Sequence, residues 1–154
     1  MSDIPDAPRF EHGADFIGEV GGGIDETHVT LGIYGKDLNP GEISKLLGCV
    51  PTHSHLRGEK RRRGPPAVEG AWVFTVKGES PAEPNELLRM LLARIPSGGA
   101  FWQELRARFK IRISFALFVT EWVRGFELDP SLLARLAAMG VSVGFSIYSE
   151  REGD

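Results

Sequence analysis

The sequence predicts an α+β fold: a four-stranded, mainly antiparallel or mixed sheet with helices on one face. Its expected plan is a ferredoxin-like β-α-β repeat with an inserted helical pair. Three observations lead there. Segments 27–34, 72–77, 111–120 and 141–148 alternate larger apolar residues with smaller or more polar ones, at the period of two that a half-buried strand requires. Amphipathic stretches at helical spacing lie between them. Two of these stretches look alike: DLNPGEISKLLG (37–48) and ELDPSLLARLAAMG (127–140) each cap with Asn or Asp, start on proline and end on glycine.

Taken in order, Val29, Leu31 and Ile33 of the first strand point one way, and His28, Thr30, Gly32 and Tyr34 the other. Asn39 then offers a side-chain oxygen to an orphaned amide, and Pro40 has the φ of a first helical turn. Ile43, Leu46 and Leu47 form the apolar stripe, and Gly48 supplies a left-handed cap. Residues 51–70 read as one long basic loop containing Pro65-Pro66. Trp72, Phe74 and Val76 share a face of the second strand, and 78–84 read as a turn. Helices follow at 85–95 and 101–109, separated by Pro96-Ser97-Gly98-Gly99. The third strand alternates Ile111, Ile113, Phe115, Leu117 and Val119 with Arg112, Ser114, Ala116, Phe118 and Thr120. Asp129-Pro130 opens the last helix, Gly140 closes it, and the final strand sets Val143, Phe145 and Ile147 on one side.

The bulk numbers fit one domain, 26–149, with a flexible acidic tail at 1–25 and a polar tail at 150–154. Of 154 residues, 42% are hydrophobic and 25% charged, which is ordinary for a globular chain. The net charge of -3 argues against nucleic acid, which wants a basic face. Charge is nonetheless uneven: Arg57, Lys60, Arg61, Arg62 and Arg63 make a basic run tempered by Glu59. Cys49 is the only cysteine, so no intrachain disulfide forms and a cytoplasmic protein is expected. The first residues have neither the basic nor the apolar region of a secretory signal, and the longest apolar run, 115–119, is far too short to span a bilayer.

With these signatures the chain resembles the bacterial domain-of-unknown-function family numbered 4279, from about Glu26 to Ser149. The resemblance rests on LNPGEISKLLG, VPTHSHLRGE, Trp72 opening the second strand, FELDPSLLARLAAMG and the closing FSIY. It implies fold boundaries and no established activity. For members of this kind it carries the expectation of a protein-binding role, including immunity-like neutralisation of toxins.

The candidate site is the loop Thr52, His53, His55, Arg57 and Glu59, which offers donors, an acceptor and groups titrating near neutral pH. Arg57 can fork onto a carboxylate or phosphate, or be neutralised by Glu59. The outward strand face is the second candidate. Thr30, Gly32, Ser114, Ala116, Ser142, Gly144 and Ser146 are small and predict a shallow groove, rimmed by Tyr34, Phe118 and Tyr148. Trp72 joins Tyr34 and Tyr148 among the aromatic contact candidates, as a core or rim residue; Trp122 reads as the most exposed tryptophan.

Several chemistries are set aside. His53 and His55 with Cys49 make an incomplete metal set, so no metal and no cofactor are expected. Gly140-Val141-Ser142-Val143-Gly144 matches a nucleophile elbow on paper, but here the helix precedes the serine and the strand follows it. There is no Walker A, H-E-x-x-H or C-x-x-C, and no catalytic residue is assigned. The expected function is therefore protein–protein interaction, with another protein or a second copy as partner. The alternative is a small enzyme or regulator that binds an anionic small molecule through residues 52–59.

Overall fold

The computed structural model describes residues 23–120 and 124–149. Residues 1–22 of the expected 1–25 tail, the expected tail 150–154, and Trp122 lie outside the described residues. In chain order the elements are β1 (Ile24–Gly35), α1 (Pro40–Leu47), β2 (His53–His55), β3 (Gly70–Ala82), α2 (Pro84–Leu92), α3 (Gly99–Arg108), β4 (Lys110–Val119), α4 (Pro130–Met139) and β5 (Ser142–Ser149).

The strands form one five-stranded sheet in the order β2-β3-β1-β4-β5. All neighbours are antiparallel except β4 and β5, which run parallel. This corrects the expected four-stranded ferredoxin-like repeat. The fold is an α+β structure with a mixed five-stranded sheet and four helices among the described residues. The two similar sequence stretches do not make equivalent halves. α4 connects β4 to its parallel neighbour β5, whereas α1 connects β1 to β2, and β3 is inserted between those two strands. The fifth strand, β2, was hidden because His53-Ser54-His55 is too short and too polar to show a period.

Strand β3 also continues to Ala82, through most of the predicted turn at 78–84, because β1 begins at Ile24 and continues to pair with it, Thr27 opposite Gly78 and Ile24 opposite Ala82. The start of β1 is tied to the end of β4 by the Asp25 carboxylate. Its Oδ2 accepts from the Thr120 amide at 2.8 Å and from the Thr120 hydroxyl at 3.1 Å.

The period-two reading of the strands holds in the register. Val29, Leu31 and Ile33 oppose Val76, Phe74 and Trp72 on one side, and Phe115, Ile113 and Ile111 on the other. This face is the core: Val29, Leu31, Ile33, Trp72, Ile113 and Phe115 are fully buried. The helices cover it with Ile43 and Leu47 of α1, Leu88 and Leu91 of α2, Trp102 of α3, and Leu132 and Leu136 of α4. Removing such surfaces from water contributes roughly 25 cal/mol per Å² of apolar area, so this face is what holds helices to sheet.

Caps behave partly as read. Asn39 Oδ1 accepts from the Glu42 amide at 3.2 Å, and Gly48 and Gly140 take the left-handed conformation, at φ 67° and 68°. Asp129, in contrast, makes no side-chain cap to α4; its carboxylate pairs with Arg89 of α2 instead. The helix at 85–95 starts one residue earlier, at Pro84, with Glu83 as its cap.

Candidate functional site

Antiparallel register places directly opposed residues on the same face, so the open side of the sheet can be read row by row. One row runs His53, Val73, Gly32, Arg112, Ser142 across all five strands. The next row toward the β2 hairpin holds His55, Ala71, Tyr34 and Lys110. At the opposite end, Glu26, Phe118 and Tyr148 share a row. The loop and the outward face, two separate candidates in the sequence, thus meet at His53 and His55: both imidazoles belong to the open face, with ring centroids 5.7 Å apart.

The two ends differ in character. Around the β2 hairpin, Arg57 and Lys60 to Arg63 are all exposed, and Arg57 makes no ion pair with Glu59 or any other described residue. Lys110 reaches Glu69 at 3.4 Å. At the far corner, His28, Phe118 and Tyr148 form an aromatic string. The His28 and Phe118 ring centroids are 5.0 Å apart, Phe118 and Tyr148 stack at 5.0 Å, and Glu26 accepts from His28 Nε2 at 2.7 Å when that nitrogen carries the proton.

Between the ends, the predicted groove is flatter than the small residues suggest. The Tyr34 ring lies across Gly32, where any Cβ would collide with it. Arg112 lies over the β5 side of the face: Nε donates to Ser114 Oγ at 3.1 Å, and Nη2 stands 3.1 Å from where a Cβ on Gly144 would be. The glycines therefore make room for a tyrosine and an arginine of the same face. Thr30 and Thr75 are linked through their hydroxyls at 2.9 Å in the adjoining row.

The remaining predicted residues have definite places. Thr52 extends the hairpin, its amide donating to Val73 O at 2.7 Å and its Oγ1 accepting from the Thr75 amide at 2.9 Å. Gly58, at φ 84°, turns the chain so that its amide donates to Ala67 O and Ala67 returns a bond to Glu59 O, closing the loop on itself. Tyr148 is 53% exposed, and it stands far from His55. Eight residues along β1 separate their rows, about 26 Å at strand rise, and four strand spacings lie between them, about 19 Å. Trp72 is on the other side of the sheet, fully buried, with Nε1 donating to Ser44 Oγ of α1 at 3.0 Å. It belongs to the core and cannot meet a partner at the open face.

Sequence reading did not single out Arg112, Lys110 or His28. Strand parity already assigned Arg112 and His28 to the outward set, but only the strand order shows which of these residues are neighbours. No group of three His, Cys, Asp or Glu able to share a metal occurs among the described residues. Cys49 is buried, and burial pushes its thiol above the ordinary 9.0, with Arg94 partly opposing. On the helix side, a cavity of about 370 Å³ opens between Ile24, Leu117, Val119, Phe126 and Ile147, and none of the predicted site residues lines it.

The fold and this face define an α+β protein whose helices cover one side of a mixed sheet and leave the other side open among the described residues. The chain belongs to the family described as Domain of unknown function (DUF4279), whose model matches residues 25–150. No curated protein and no solved structure matches it. No helix among the described residues is long and apolar enough to cross a membrane.

Proposed function

We propose that this chain is a cytoplasmic binding domain that recognises another protein through the open face of its sheet and catalyses no reaction. The observation that supports this most is the size of the face. His53, His55 and Arg57 at one end and Tyr148 at the other are separated by about 26 Å along the strands, the scale of a protein footprint rather than of a metabolite. A basic hairpin at one end and an exposed tyrosine at the other suit a partner that presents carboxylates at one side of its footprint and an apolar patch at the other.

The test is capture from the native host's lysate on wild type, on His55→Ala with Arg57→Ala, on Tyr148→Ala, and on Met90→Ala of α2 as a control. A protein retained by wild type and the control but lost from both face variants supports the reading. Equal capture by all four removes it.

A second reading has its own observation: Arg57 is exposed and unpaired among the described residues, beside His55 and the 60–63 run. Such a cluster suits an anionic small molecule. Thermal stabilisation by inorganic phosphate or a nucleotide, lost in Arg57→Ala, would favour it over the protein partner.

A further inference from the structure

β5 is the outermost strand of the sheet and pairs, among the described residues, with β4 alone. Edge strands ordinarily carry charge, proline or a bulge, or are kept short, because their free amides and carbonyls invite another strand. The opposite edge, β2, follows that rule with three residues. β5 does not. It is eight residues long, SVGFSIYS, with no charged residue, no proline and an unbroken register against β4. Its large side chains are bare on both faces: Phe145 is 50% exposed, Ile147 69% and Tyr148 53%. They are also held in place from within, Phe145 stacked on Phe115 at 5.1 Å and Tyr148 on Phe118 at 5.0 Å.

We propose that β5 pairs antiparallel with β5 of a second copy, about a two-fold axis normal to the sheet, which joins two five-stranded sheets into one. Two features select a second copy as the occupant. An antiparallel pair about such an axis opposes residues of the same face, so the axis passes between the two copies of one residue, Phe145 or Ser146. Centred on Phe145, the pairing sets Phe145 against Phe145 and Val143 of one copy against Ile147 of the other. Centred on Ser146, it sets Phe145 against Ile147. Either way apolar meets apolar on the helix side. The strand is also uncharged, so two copies bring no like charges together, a condition a self-paired edge must meet. One strand edge with its apolar side chains lies at or below the roughly 1,200–2,000 Å² of stable interfaces, so the dimer dissociates on dilution.

This assembly is independent of the open-face reading, and its test does not require that reading. Sedimentation of the full chain from about 5 to about 500 µM should show a monomer–dimer equilibrium. Ile147→Lys should be monomeric throughout with an unchanged circular dichroism spectrum, and Met90→Lys, remote on α2, should dimerise like wild type. Because a lysine in a strand can also disturb the fold, cysteine cross-linking is the second arm. Phe145→Cys or Ser146→Cys should form a covalent dimer under mild oxidant, depending on the axis, while Met90→Cys and the buried Cys49 of wild type should not. A wild-type chain that stays monomeric at about 500 µM overturns the proposal and leaves the edge to a different occupant. So does a pair of cysteine variants that both fail to cross-link, or a Met90→Cys control that links as well as they do.

Discussion

The indole of Trp72 donates to the Ser44 hydroxyl at 3.0 Å, bridging the start of β3 to the middle of α1 beneath the sheet. A fully buried indole N–H with a single described partner ties the hairpin that carries His53 and His55 to the helix layer.

Ser44→Ala removes that partner and leaves the buried donor unsatisfied. The expected loss is about 1–3 kcal/mol of stability, read as a lower midpoint in urea with an unchanged m-value. Binding by the folded variant through the open face should be unaffected, since Trp72 and Ser44 lie on the helix side. A variant that keeps its midpoint but loses binding would put Trp72 in the site after all.

Asn85 is a buried amide, 7% exposed, and it uses both ends. Its Nδ2 donates to Glu83 Oε1 at 2.6 Å and to Glu127 O at 2.5 Å, while its Oδ1 accepts from the Asp129 amide at 2.9 Å. It thereby fixes the segment before α4 against the start of α2. Asn85→Ala leaves a carbonyl and an amide of that segment without their partner, and is expected to destabilise by about 2–3 kcal/mol in thermal or urea unfolding. Asn85→Asp should cost at least as much at neutral pH, because its second oxygen cannot donate to Glu127 O and stands against the Glu83 carboxylate.

Thr27 has the opposite defect. It is fully buried and its hydroxyl has no hydrogen-bond partner among the described residues. Thr27→Val replaces that hydroxyl with a methyl of similar shape, so it should raise stability by about 1 kcal/mol, a rise in Tm of about 3–5 °C. A lower Tm would mean that the hydroxyl is satisfied in solution.

Cys49 sets an alkaline limit. Burial raises its thiol above 9.0, so in the folded protein it stays protonated where the unfolded chain already ionises. The unfolded state then binds fewer protons than the native state, and stability must fall as pH rises beyond the unfolded thiol's value. Unfolding free energy is expected to decline above pH 9 in wild type, and Cys49→Ala should remove that part of the slope. For the same reason the thiol should react slowly with iodoacetamide at pH 8 in the native protein and fully in denaturant.

The identity of most elements was legible in the chain because each is set by neighbours in sequence. Alternation named the four longer strands, and Asn39-Pro40 with Gly48 bounded α1. Even the matched orientation of His53 and His55 follows from a spacing of two in extended chain. β2 itself was not legible, since three polar residues carry no period. Nor was the continuation of β3 through Pro81, because its cause is the pairing of β1 residues more than fifty positions away.

Face, row and neighbourhood belonged to the tertiary fold. Nothing local says that Gly32 stands beside Val73 and Arg112, that Thr30 meets Thr75 across 45 positions, or that Trp72 turns toward Ser44 rather than toward a partner. Those relations come from which strands lie side by side, and side-by-side pairing is chosen by burial of the whole apolar face at once. Periodicity could therefore assign each residue to an inner or outer set. Only the packed sheet could place the outer set on one surface, with histidines and cations at one end and stacked aromatics at the other.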